Sequence, residues 1–297
     1  MRRTDHGRYA YSALPHRPVY DWPGGKRLAV YFALNLETFS FGEGLGAKLA
    51  PAQGEPDVLN YTWRDYGNRV GAWRLRDLFD RLNLPAAVLV NTWLYDEAPE
   101  LIAAFRARGD EMVAHGRTNS ERQGAMSEAQ EAAVIAEVVA RMTKEEGRPP
   151  AGWLGPWISQ SPVTPDLLAE AGFSYGLDWS MDEQPVWMKT RSGRLLSVPY
   201  PQELNDIPAI VARQGDGAEF ADSLIDAFDE MLELAQTAPL VMGVALHPYI
   251  VGYPHRLRRL RRALTHINAR REQIWLTTPG AIAAQVNALP PETIALP

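Results

Sequence analysis

Leu28-Ala29-Val30-Tyr31-Phe32-Ala33-Leu34 runs without a break into Asn35-Leu36-Glu37, and this stretch decides how the rest of the chain reads. A short apolar run behind the Trp22-Pro23-Gly24-Gly25 turn has the length and content of a buried strand. Outward from it, apolar runs alternate with longer amphipathic segments. A Gly/Pro-rich stretch covers Gly42 to Pro56, and a helical pattern follows from Tyr66 to Leu82. Strands are expected at Pro85–Val90 and Glu111–Ala114, with a helix at Pro99–Arg108 between them. Ser127 opens a helix running to Glu146, and Thr164 is expected to cap another to Ala171, with Pro165 in the first helical position. Phe173–Leu177, Leu240–Leu246 and Gln273–Leu276 read as later strands, and Ala218–Leu234 and Arg256–Arg271 as helices.

Strand-then-helix repetition predicts a mostly parallel sheet with helices outside it. The absence of an obvious linker predicts an α/β fold built as one (β/α) barrel over residues 1–297. An N-terminal arm (1–25) and a long loop (39–62) stand outside that frame, and the loop is expected to serve as a lid or subunit contact.

Composition narrows the function. Acidic residues number 36 against 30 basic ones, a formal charge of −6, which argues against a nucleic-acid partner. The basic helix at 256–271 does not change this, because Leu257, Leu260, Leu264 and Ile267 give it a packing face and leave the arginines on the other. There is no cysteine, so disulfides, thiolate metal sites and a cysteine nucleophile are excluded. Residues 1–21 show no signal-peptide pattern, and no apolar run approaches the ~20 residues of a membrane span. A cytoplasmic chain without a membrane partner is expected.

Parallel strands point one way, so groups just beyond their apolar runs gather on one rim, where barrels carry their chemistry. Three runs end in residues that are costly to bury. Leu28–Leu34 leads to Glu37, Met112-Val113-Ala114 leads to His115, and Val241–Leu246 leads to His247. Any one of them alone could be a hydrogen-bonded structural group or a helix cap. Together, a carboxylate and two imidazoles form a general acid/base constellation. No Gly-x-Ser-x-Gly, phosphate-loop or His-Glu-x-x-His motif competes with it. No two of the six histidines lie four apart, so local spacing gives a metal site no support.

At these residues the chain resembles the polysaccharide deacetylase (NodB-like) superfamily, in particular its branch of metal-independent allantoinases and cyclic imide hydrolases. The resemblance runs from Trp22 to Pro248. It includes Asn35-Leu36-Glu37, Tyr66-Gly67-Asn68-Arg69-Val70-Gly71-Ala72-Trp73-Arg74 and His115-Gly116. It continues through Asp178 with Asp182-Glu183-Gln184-Pro185, Pro199-Tyr200 with Asn205-Asp206, and Leu246-His247. It implies the family's distorted (β/α) barrel and C–N bond hydrolysis, with a homo-oligomer (dimer or tetramer) expected. Deacetylases of the superfamily carry Thr-Phe-Asp-Asp-Gly, whose first Asp is the base and whose second binds a divalent metal. By that pattern Glu37 stands at the base position and Thr38 at the ligand position. Of the family's His-x-x-x-His, His115 is present and Asn119 takes the second place. A cation needs more charged or strongly donating ligands than this, so no cofactor is expected, zinc being the alternative.

Without a Lewis acid, the expected substrate is a small cyclic amide whose nitrogen leaves readily: an imide, a hydantoin or an allantoin-like ureide. Glu37 is expected to take a proton from water, and His247 or His115 to give one to the departing nitrogen. Arg117, Asn119 or backbone N–H groups would hold the oxyanion. Trp153 and Trp157 are expected to wall the pocket or, equally, to belong to the core, with Asn35, Asn205 and Asp206 among the substrate contacts. Asp178 and Asp182 are expected to orient a catalytic group or, equally, to cap helices or pair with surface arginines. Arg64 and Asp65 read equally as functional groups beside the lid or as an interfacial ion pair. The rival functions are a metal-dependent deacetylase of N-acetylated sugars and a non-catalytic ligand-binding barrel.

Overall fold

The structure is a computed structural model and describes residues 5–294. Its sheet has the strands β1 (Leu28–Leu36), β2 (Ala87–Val90), β3 (Glu111–Ala114), β4 (Gly152–Trp153), β5 (Tyr175–Gly176), β6 (Val186–Thr190), β7 (Gly193–Ser197), β8 (Leu240–Leu246) and β9 (Trp275–Leu276). They lie in the order β6-β7-β5-β4-β3-β2-β1-β8, with β9 on β1, and every pairing is parallel except that of β6 with β7. β1 is the axis of the arrangement. Its residues 28–34 pair with 240–246 of β8, and Ala33–Leu36 pair with Ala87–Val90 of β2.

The barrel closes without a full ladder. On the far edge of β8, Val241 N–H donates to the Glu183 carbonyl at 2.8 Å and Ala245 N–H to that of Leu204 at 3.0 Å. Irregular segments on either side of the β6–β7 hairpin thus seal the seam, which is the distortion of the barrel. The hairpin itself is absent from the sequence reading, although its Val/Trp/Met alternation and the Arg191-Ser192 turn carry the signal.

Successive strand residues point to opposite faces. In β1, Val30, Phe32 and Leu34 pack outward against the helices, whereas Ala29, Tyr31 and Ala33 fill the interior with Leu89, Val113, Tyr175, Leu196 and Ala245. This parity matters for the site. Continued past the strand ends, the interior row runs from Ala33 through Asn35 to Glu37, from Val113 to His115, and from Ala245 to His247.

Several local expectations differ from the structure. The helix expected over Tyr66–Leu82 begins earlier, at Val58 behind an Asp57 cap that accepts the Asn60 N–H at 3.1 Å. It widens into a π segment at Gly67–Gly71 before resuming as Ala72–Leu82. The reason is contact with the segment after β8: a Cβ on Gly71 would lie 2.2 Å from the Pro248 carbonyl oxygen. Such bulges are frequent at functional sites. Thr164 is not a cap; its hydroxyl donates to the buried Glu131, and Val163 holds the cap position. Ser127 does cap its helix, in a reciprocal pair with Gln130. The arm is strapped down by two arginine–carboxylate forks, Arg8 on Asp166 (2.6 Å) and Arg17 on Asp182 (2.7 Å). No helix among the described residues is long and apolar enough to cross a membrane.

Candidate active site

Glu37, His115 and His247 meet at the strand ends, each at least 95% buried. Glu37 Oε1 lies 3.4 Å from Nε2 of His115 and 3.5 Å from Nε2 of His247, while Oε2 accepts the Tyr249 hydroxyl at 2.6 Å. The far side of each imidazole fixes its role. His115 Nδ1 lies 2.7 Å from the Leu154 carbonyl, which can only accept, so Nδ1 carries a proton and Nε2 faces Glu37. His247 is gripped by the fully buried Asp206, which accepts from the ring Nδ1 at 2.6 Å and from the backbone N–H at 2.7 Å.

Burial alone would push the His247 imidazole toward neutrality. Asp206 and then Glu37 more than reverse it, and the ring is pushed up to about 10. Burial alone would likewise raise Glu37, yet His247 and His115 hold it well below the usual carboxylate range. At neutral pH the centre is therefore an imidazolium between two carboxylates. Burial raises Asp206 against the pull of His247, and burial and Glu37 hold the Tyr249 phenol in its neutral, donating form.

A cavity of about 210 Å³ opens on these groups, lined among others by Asn35, Phe39, Asn119, Trp157, Tyr200 and Asn205. Phe39, Ala47, Lys48 and Leu49 of the long loop form one wall. Trp157 projects from a left-handed turn (φ 65°), with Ile158 also left-handed at 53°, and its indole donates to the Asn119 carbonyl at 2.7 Å. Strained non-glycine backbone of this kind is typical of sites that need a side chain held in one place. A larger cleft of about 610 Å³ between the arm and residues 181–187 contains none of the three central groups.

Four expected contacts lie elsewhere. Trp153 is fully buried on the helix side of β4, edge-on to Phe173, because the interior position there belongs to Leu154. Arg117 turns outward to Glu121 and Glu137, so it is not the oxyanion donor. Asp182 pairs with Arg17 of the arm. Asp178 lies outside the cavity lining and braces its wall from behind: it accepts the Gly155 N–H at 2.8 Å, and burial pushes its carboxyl up to about 7. Arg64 is also buried and structural, stacked 4.2 Å over Phe39 and donating to the Ala47 carbonyl, while Asp65 pairs with Arg69. Asp206, expected as a substrate contact, instead grips His247 from behind, and Tyr249 and Gln202 are site residues that the sequence does not single out.

The family's cation position holds neutral groups here. The Thr38 hydroxyl donates to Glu97, away from the cavity, and its N–H donates to Asn91 Oδ1 at 2.9 Å. Asn119 Oδ1 accepts from Asn91 Nδ2 at 3.0 Å, which leaves an NH₂ donor toward the cavity. His247 would have to surrender a proton it holds to about pH 10 before it could ligate a cation. Among the described residues no group of three or more His, Cys, Asp or Glu is placed to hold a metal ion. The residues present do not fit a divalent cation.

A barrel carrying an acid/base centre of this kind is the frame of an amide C–N hydrolase, and the relatives agree. A probable polysaccharide deacetylase from Pseudomonas aeruginosa PAO1 is 30% identical, with a TM-score of 0.82 over 94% of this chain and 96% of that one. The structure of Puue allantoinase superposes with a TM-score of 0.83 at 29% identity, over 95% and 96% of the two chains. A peptidoglycan deacetylase of Helicobacter pylori is 25% identical over 244 residues, 71% of this chain and 82% of its own. No family model matches. The chain belongs to the polysaccharide deacetylase family and is a C–N hydrolase of that superfamily.

Proposed function

We propose that this chain opens a small cyclic amide (an imide, a hydantoin or an allantoin-like ureide) by general acid/base catalysis without a metal ion. The observation that carries the reading is the charge arrangement: a buried imidazolium, His247, shared by Asp206 and Glu37 beside a cavity of about 210 Å³. That volume suits one small ring better than a length of polysaccharide. The similarity to an allantoinase along almost the whole chain supports the same reading.

In the reaction, Glu37 Oε1 takes a proton from water while the water oxygen bonds to a ring carbonyl carbon. The oxyanion formed is held by Asn119 Nδ2. His247 Nε2–H then protonates the ring nitrogen as the C–N bond breaks, leaving a carboxyl and an N–H. His115, its Nδ1–H fixed on the Leu154 carbonyl, points Nε2 at Glu37 as an acceptor for the proton that Glu37 takes from water. The substrate is in this reading a small soluble molecule met in the cytoplasm by a homo-oligomer, whose size light scattering measures.

The test is to offer hydantoin, succinimide, allantoin and N-acetylglucosamine oligomers to the purified protein, with and without chelator. Ring opening that survives the chelator and disappears in Glu37→Gln is expected. Chelator-sensitive release of acetate would replace this reading with the metal-dependent deacetylase.

A further inference from the structure

Four carboxamides line the cavity; Asn35 is spent on Tyr200 and the Leu246 carbonyl, and the structure fixes which end two of the other three offer. Asn119 Oδ1 is occupied by Asn91, and Asn205 Oδ1 by the Ile207 N–H at 3.0 Å. Both must therefore present NH₂ groups, which have no other partner among the described residues. Gln202 lines the same cavity, and its Nε2 is buried with no hydrogen-bond partner among the described residues. Gln202 and Asn205 share one short segment, held against β8 by the Leu204 carbonyl accepting from Ala245 N–H at 3.0 Å. Asn119 comes from the separate turn after β3. Donors thus outnumber the single acceptor that one amide carbonyl supplies.

We infer that Gln202, together with Asn205, anchors a second, non-reacting carbonyl oxygen of the substrate and so determines specificity for dicarbonyl rings. This rests on the function proposed above. Asn119 serves the carbonyl that is attacked, and the Gln202–Asn205 pair holds the other, which orients the ring so that its nitrogen faces His247. A monocarbonyl amide leaves the pair unsatisfied and is discriminated against, because a site built to hydrogen-bond a group rejects an analogue that lacks it.

The experiment compares hydantoin with 2-thiohydantoin, whose sulfur is a poor acceptor, on the wild-type protein and on Gln202→Leu. Taking the ratio of the two kcat/KM values in each protein cancels the different acidity of the rings. Gln202→Leu is expected to lower the hydantoin-to-thiohydantoin preference about three- to tenfold, mainly through KM. Gln202→Asn is expected to restore part of it. An unchanged ratio in a Gln202→Leu protein that still opens rings would overturn the inference while leaving the proposed function intact. If the wild type opens neither ring, the proposed function falls, and calorimetric titration with the same two ligands decides the anchor alone. There, a wild-type preference for hydantoin that Gln202→Leu abolishes supports it, and equal or absent binding overturns it.

Discussion

Replacing Asp206 by asparagine removes the group that contributes most to keeping His247 charged. The imidazole stands at about 10 against an ordinary 6.5. At about 1.4 kcal/mol for each pH unit, that interval corresponds to on the order of 5 kcal/mol favouring the charged ring. Because the folded value is the raised one, this contribution to stability is complete below about pH 6.5 and is lost as pH rises through about 10. The carboxamide cannot reproduce both existing bonds. Its oxygen is needed by the His247 backbone N–H, now 2.7 Å from Asp206, so its NH₂ meets ring Nδ1 and makes that nitrogen an acceptor. The proton then stays on Nε2 of a neutral ring, a far weaker acid. With Glu37 the remaining charge partner, the imidazole should titrate well below its wild-type value, back toward the ordinary 6.5. A fall in kcat of about 10²–10⁴ is expected. NMR titration of the His247 ring in the substrate-free protein reads the first effect, and the basic limb of the pH–rate profile for ring opening reads the second. If both stay where they are in the wild type, the view that Asp206 maintains the catalytic acid is wrong.

Glu37→Gln should keep the fold, because the isosteric amide still accepts from Tyr249, and should lower kcat by about 10²–10⁴ in steady-state assays. Prolonged dialysis against a chelator should leave the rate unchanged and elemental analysis should find no stoichiometric metal; a zinc ion retained by Glu37 and the two imidazoles would refute the metal-free mechanism. Gly71→Ala should destabilise the protein by about 2 kcal/mol or more in denaturant titration, since its Cβ would sit 2.2 Å from the Pro248 oxygen, and an unchanged midpoint would show that the two segments are not locked together.

Glu37, His115 and His247 were legible because strand-end position is a local property. A buried apolar run followed by an ionisable residue names its own rim, and strand parity then places the side chain inside. The same parity explains the error at Trp153. With β4 reduced to Gly152–Trp153, nothing in the sequence shows which neighbour faces inward, and Leu154 does. Asp182 is a different case, since its destination is set by Arg17, distant in the chain, whereas Arg117 is held outside by Glu121 four residues on, together with Glu137. The roles of Asp206 and Gln202 depend on the unclosed seam beside β8, which no periodicity encodes. The π segment is not legible because it spans only Gly67–Gly71, where Val70 is the one large apolar residue, too little to show a spacing different from that of an ordinary helix.

Asn91 explains why the neutral residues at the cation position belong together. Its Oδ1 accepts from the Thr38 N–H, and its Nδ2 reaches both Asn119 Oδ1 and the His115 carbonyl. One fully buried side chain thus ties the segments after β1 and β3, which a shared cation would otherwise bridge. Glu97 takes the Thr38 hydroxyl from outside, so a carboxylate in place of Thr38 would face a second carboxylate. In the metal-free reaction proposed above, the His247 imidazolium supplies the positive charge and the Asn119 amide the contact to the substrate oxygen. An amide donor stabilises an oxyanion less than a divalent cation does. On the proposed reading the difference falls on the leaving group, which is why rings whose nitrogen is already acidified by two carbonyls are the substrates proposed for such a centre.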